Sequence, residues 1–162
     1  MREISCCFTG HRPAAFPFGS DETHPDCVQL KARLRGVIEK AVQEGYRVFY
    51  TGMAEGFDMY AAEEVLQLKV YNPEIRLIAA LPCPSQTKSW KPLSVARHKR
   101  ILALADEAVL VSETYTKFCM QKRNEYMVDR SSLCIACCLQ LKGGTYNTLK
   151  YAFDRGVNIV SV

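Results

Sequence analysis

The chain has 162 residues, of which 48% are hydrophobic and 23% charged, and it carries a formal net charge of +4. That length supports one domain over residues 1–162 with a sizeable core, and the proportions are those of a globular protein rather than a fibrous or disordered one. No apolar run approaches the roughly 20 residues that span a bilayer, and the basic runs (Arg97-His98-Lys99-Arg100, then Lys117, Lys122 and Arg123) fall short of the stripe expected of a nucleic-acid binder.

Met1-Arg2-Glu3 leads straight into an apolar strand over residues 3–9, so no signal peptide is expected and a cytoplasmic protein is. A loop rich in Pro and Gly follows, from Gly10 to Pro25. Asp26 is placed to cap a helix whose Leu30, Leu34, Val37, Ile38 and Ala41 share one face, and Gly45 stops it. Residues 46–51 form the second strand and residues 57–70 the second helix, closed by Asn72-Pro73. The third strand covers residues 75–81. An irregular segment marked by Pro82, Pro84 and Pro92 leads to a helix carrying Ala96, Ile101, Leu104 and Ala105. A fourth strand at residues 108–111, a helix over 118–130, a fifth strand over 133–139, a helix after Gly143-Gly144 and a last strand over 157–162 complete the series. Several strands are apolar on both faces, as parallel strands between two helix layers must be. The pattern predicts a Rossmann-like α/β fold, a doubly wound, mainly parallel sheet of about six strands with helices on both faces.

Such sheets bind ligands at the carboxyl ends of their strands. There the sequence places Thr9-Gly10-His11-Arg12, then Thr51-Gly52-Met53-Ala54-Glu55-Gly56, then Ser112-Glu113-Thr114-Tyr115, then Lys142-Gly143-Gly144-Thr145 with Thr148. Three of these four ends set a glycine beside a threonine. Glycine turns, helix starts with unpartnered N–H groups, hydroxyls and Arg12 suit a phosphate-bearing ligand. The turn at residues 51–58 is neither a Walker loop nor GxGxxG. Asp58 can cap the second helix, which is its structural role, and Asp129 lies in a last helical turn, where the dipole disfavours a carboxylate. The eight cysteines sit mostly in apolar runs. Cys6 and Cys7 point to opposite faces of a strand, and Cys134-Ile135-Ala136-Cys137 has no second such pair, so they read as small buried hydrophobes and no metal site is expected.

Four blocks in order, Thr9-Gly10-His11-Arg12-Pro13, Thr51-Gly52-Met53-Ala54-x-Gly56-x-Asp58-x-x-Ala61-Ala62-Glu63, Arg123-Asn124-x-x-Met127-Val128-Asp129-x-Ser131 and Gly143-Gly144-Thr145 with Thr148, resemble the YpsA-like family of the SLOG superfamily over nearly the whole chain. That superfamily relates the DNA-processing protein DprA to the LOG phosphoribohydrolases. The resemblance implies a nucleotide or nucleotide-derived ligand of the ADP-ribose or NAD type. Carried over residue by residue, the ligand-facing positions would be Thr9, Gly10, His11, Arg12, Gly52, Met53, Ala54, Gly56, Asp58, Gly143, Gly144 and Thr145; Thr51 and Thr148 at the same strand ends join them as candidates, with Arg123, Asn124 and Asp129 secondary. The resemblance supplies no established reaction. LOG hydrolases carry PGGxGTxxE with a catalytic glutamate. Here Lys142 replaces the proline, and Lys150 stands near the glutamate position, which shifts the expectation from catalysis to binding. Nucleotide N-glycoside hydrolysis through Asp58 or Glu63 and DprA-like binding of single-stranded DNA remain as alternatives. Relatives in the superfamily often form dimers, and the aromatic-rich segment from Tyr115 to Tyr126 is a candidate surface for a homo-oligomer.

Overall fold

A computed structural model describes residues 1–162, and in it the alternation of apolar runs resolves into six strands and five α-helices. In chain order these are β1 (Ser5–Gly10), α1 (Pro25–Gln43), β2 (Val48–Thr51), α2 (Phe57–Lys69), β3 (Arg76–Leu81), α3 (Pro92–Leu104), β4 (Glu107–Leu110), α4 (Cys119–Asp129), β5 (Leu133–Cys137), α5 (Gly143–Asp154) and β6 (Asn158–Ser161). Every neighbouring pair of strands is parallel, and the order across the sheet is β4-β3-β2-β1-β5-β6. The chain is therefore doubly wound, and the winding reverses between β1 and β5.

The two faces of the sheet build two cores. On one, Cys6, Phe8, Phe49, Leu77 and Ile135 meet the apolar stripes of α1 and α2 and Ile101 of α3. On the other, Cys7, Tyr50, Ile78, Cys134 and Ala136 meet Met127 and Val128 of α4 and Ala152 of α5. Cys6 and Cys7 thus serve opposite layers, as a period of two requires. Burying β1, β2 and β5 on both faces is what lets their sequences run apolar without alternation. The outermost strands β4 and β6 remain largely exposed.

Local details depart from the sequence expectations. The first strand starts at Ser5, because Arg2–Ile4 form a short 3₁₀ turn. Pro13–Ala15 make another in the loop after β1. His24, not Asp26, caps α1: its Nδ1 accepts the Asp26 N–H at 3.1 Å, and Pro25 takes the first helical position. Asp58 does not cap α2 either. Gly56 holds the cap position, and Asp58, in the first turn, accepts the Ala54 N–H through Oδ2 at 3.2 Å. The fifth strand ends at Cys137, so residues 138–142 form a connecting loop.

Candidate functional site

The reversal between β1 and β5 opens the sheet at its carboxyl edge, where doubly wound folds hold ligands. A pocket of about 260 Å³ lies there. Its floor is the end of β1 and the residues just after it, Phe8 to Arg12; its walls are Ala54 from the glycine turn, Asp58 from the start of α2, Met120, Arg123 and Asn124 from α4, and Gly144 and Thr145 from the start of α5. Four segments far apart in sequence meet at one point.

Close approach fixes this geometry. A methyl group on Gly10 would overlap the Phe57 side chain at its Cγ and Cδ1. Gly56 has φ +87°, and a methyl there would lie 2.6 Å from the His11 carbonyl oxygen, which accepts the Phe57 N–H at 3.1 Å. The glycine turn is thereby pinned against the end of β1. Thr51 adds a second tie, donating its hydroxyl to the Asp58 carbonyl at 3.1 Å and accepting the Met53 N–H at 3.3 Å. Met53 itself adopts φ +60° and is fully buried in the core.

The pocket holds a buried cation and a buried carboxylate. Arg123 donates to the Gly52 carbonyl and, at 2.7 Å, to Asn124 Oδ1. A methyl on Gly52 would lie 2.7 Å from the Arg123 guanidinium carbon and 2.8 Å from Asp58 Oδ2, so the two charges flank that glycine. Burial lifts the Asp58 carboxyl above the usual range, against the pull of Arg123, the Ala54 amide and Arg12. Burial lowers the Arg123 pKa, with Asp58 opposing. His11 is neutral by geometry, since its Nε2 accepts the Leu139 N–H at 2.7 Å. Burial lowers its pKa in the same sense. Arg12 is exposed and forms neither an ion pair nor a side-chain hydrogen bond, although it lines the pocket. No side chain caps α5, whose first-turn residues Gly144 and Thr145 line the pocket, so the N–H groups of that turn lack a side-chain partner.

The structure gathers Thr9, Gly10, His11, Arg12, Ala54, Asp58, Gly144, Thr145, Arg123 and Asn124 around this space. Thr51, Gly52, Met53 and Gly56 lie behind its wall and shape it. Gly143 takes φ +88° to begin α5, and Thr148 is buried one turn later, donating to the Gly144 carbonyl at 2.8 Å. Asp129 sits at the opposite end of α4, where the Tyr151 hydroxyl donates to it at 2.9 Å and Arg155 stands 3.7 Å away. The hydroxyl satisfies the carboxylate and the Arg155 charge offsets the unfavourable helix dipole there. Glu63 points away from the pocket and pairs with Arg97 and Arg100. The segment after β4 plays no part, because β4 lies at the far edge of the sheet. Lys150 lies over the Tyr146 ring on the exposed side of α5. Within the 115–126 segment, Tyr115 and Phe118 are exposed, whereas Tyr126 packs edge-on against Tyr50.

Sequence reasoning missed Phe8 and Met120 as lining residues, and it missed Gln86 and His98. Gln86 Nε2 donates to the Gly52 carbonyl at 3.0 Å, and its Oε1 bonds His98 Nε2 at 3.2 Å. Both are buried polar groups, a signal that sequence alone does not carry.

Comparisons with known proteins agree with this frame. The SPbeta prophage-derived protein YoqJ of Bacillus subtilis (strain 168) is 37% identical over 143 residues, spanning 80% of this chain and 83% of its own. A UPF0398 protein of Bacillus thuringiensis (strain Al Hakam) is 23% identical over 141 residues, spanning 85% of this chain and 75% of its own. Among solved structures, DprA of Streptococcus pneumoniae superposes with a TM-score of 0.66 at 18% identity over 98% of this chain, and DprA of Helicobacter pylori with 0.65 at 18% over 99%. This chain spans 50% and 65% of those two proteins, and at that identity the likeness is one of fold. The model of the YspA SLOG family matches residues 6–153, a span that takes in the end of β1, the glycine turn, Arg123 and the start of α5, and the chain belongs to that family.

Proposed function

We propose that the chain binds a nucleotide or nucleotide-derived ligand, of the ADP-ribose or NAD type, at the carboxyl edge of the sheet. Its phosphate would sit between the end of β1 and the start of α5. The observation that carries this reading is Arg12, a guanidinium without a protein partner at the rim of a pocket walled by the N-terminal ends of α2 and α5. Family membership supports it. So does the Helicobacter pylori DprA structure, described by its single-stranded DNA binding mode, as a case of this fold holding a nucleotide polymer. A thermal-shift panel of AMP, ADP-ribose, NAD and GTP tests it, with a rise in Tm expected for at least one. Arg12→Ala should weaken that ligand by about ten- to a hundredfold, the value of a charged hydrogen bond. No rise for any nucleotide would end the proposal.

One observation favours a second reading, hydrolysis of a nucleotide N-glycosidic bond. Asp58 lines the pocket, and burial raises its pKa in the direction a general acid needs. Glu63 does not share that position, being held by Arg97. Chromatography of the bound nucleotide after long incubation decides, and intact ligand counts against hydrolysis.

A further inference from the structure

On the other side of Arg12 from the pocket, the loop after β1 and the segment leading into α3 face each other across a groove of about 980 Å³. Arg12, Ser20, Glu55, Trp90, Lys91 and Arg97 are among its lining residues. Arg12 lines both spaces, so groove and pocket meet at that side chain.

The groove wall is tied to the pocket wall. Trp90, half-buried, packs edge-to-face on His98 at 5.5 Å between ring centroids. His98 bonds Gln86, and Gln86 bonds the Gly52 carbonyl of the glycine turn. The indole is therefore held in register with the site across Arg12 instead of hanging on a free loop.

Charge in the groove is sparse. Arg97 is spent on Glu22 at 2.6 Å and on Glu63. That leaves Arg12 and Lys91 as lining cations without an ion pair, against the carboxylate of Glu55. A single strand carrying one phosphate per nucleotide calls for a row of cations along its path. Two cations and one aromatic ring suit a shorter ligand with its phosphates gathered at one place and a flat ring beyond them.

We infer that pocket and groove form one bipartite site for a dinucleotide joined through a pyrophosphate. One nucleoside half enters the pocket, Arg12 meets the pyrophosphate, and the other half lies in the groove with its base against Trp90. This inference rests on the reading of the pocket as a phosphate site, and the experiment separates the two.

Trp90 is the only tryptophan in the chain, so all indole fluorescence comes from the groove wall, and AMP, which fills the pocket alone, is the control for any change passed on from there. AMP, NAD and a dT oligonucleotide are titrated into the protein, with affinities read by calorimetry and fluorescence recorded in parallel. NAD should change Trp90 emission and bind about tenfold more tightly than AMP, the order that one stacked base supplies. Trp90→Ala should erase that preference, and Trp90→Phe, which keeps an aromatic face, should retain it. Equal binding of AMP and NAD with silent fluorescence overturns the groove and leaves the pocket reading standing. Tighter binding of the oligonucleotide than of NAD overturns the dinucleotide in favour of a strand. No binding by any of the three removes both the groove and the pocket reading.

Discussion

His11 shows how one side chain joins the site to stability. Its ring can accept the Leu139 amide only when neutral, and burial favours that state. His98 differs in its bond, since its Nε2 donates to the Gln86 amide oxygen in either charge state, but burial lowers its pKa in the same direction. The unfolded chain protonates its histidines below about pH 6.5, whereas these two resist. In that window the unfolded state binds more protons, so stability holds above pH 6.5 and falls as the pH drops through it. The urea midpoint should therefore decline as the pH falls below about 6.5, and the His11→Gln/His98→Gln chain should show a flatter profile; an unchanged slope would assign the decline elsewhere. Arg123 gives a second residue-level expectation. Arg123 makes no direct ion pair with Asp58 but holds the Gly52 carbonyl and is a nearby opposing charge, so Arg123→Met should cost about 1–3 kcal/mol, and Asp58→Asn added to it should recover part of the loss. Chemical denaturation of the two singles and the double measures that coupling.

At the scale of elements, the strand ends were legible in sequence because two physical signals coincide there. Apolar runs end, and glycines beside threonines begin the next turn. Thr9 to Arg12, the 51–58 turn and Gly144-Thr145 could be placed on one edge from that alone. The residues after β4 could not be set aside, since which strand becomes the sheet edge is decided by pairing between distant segments. Gln86 and His98 stayed hidden because the proline-marked segment has no periodicity that says which side chains turn inward. The turn also predicts its own sensitivity. Gly56→Ala combines a left-handed backbone angle with overlap on the His11 carbonyl and should destabilise by about 1–3 kcal/mol. Gly36, inside α1 with open space around it, is the contrast: Gly36→Ala should stabilise by about 0.5–1 kcal/mol. Urea unfolding of both variants reads the two signs.

Across the whole molecule, the two cores account for the cysteine usage. Seven of the eight cysteines are buried, and only Cys138 is partly accessible. Burial pushes the Cys6 thiol well up and that of Cys137 to about 11, so neither offers a reactive thiolate at neutral pH. A thiol reagent such as DTNB should modify about one group per native chain and all eight in guanidinium; several fast-reacting thiols in the native state would contradict the packing. The junction of β1 with β5 has a further effect, on timing. The His11–Leu139 bond alone joins positions 128 apart in the chain. A ribosome must deliver the chain through Thr145 before the cavity can exist, and no shorter fragment can hold a ligand there. Whatever binds there arrives after β1 and β5 have paired, so it would slow amide hydrogen exchange throughout the sheet rather than at its contact residues alone.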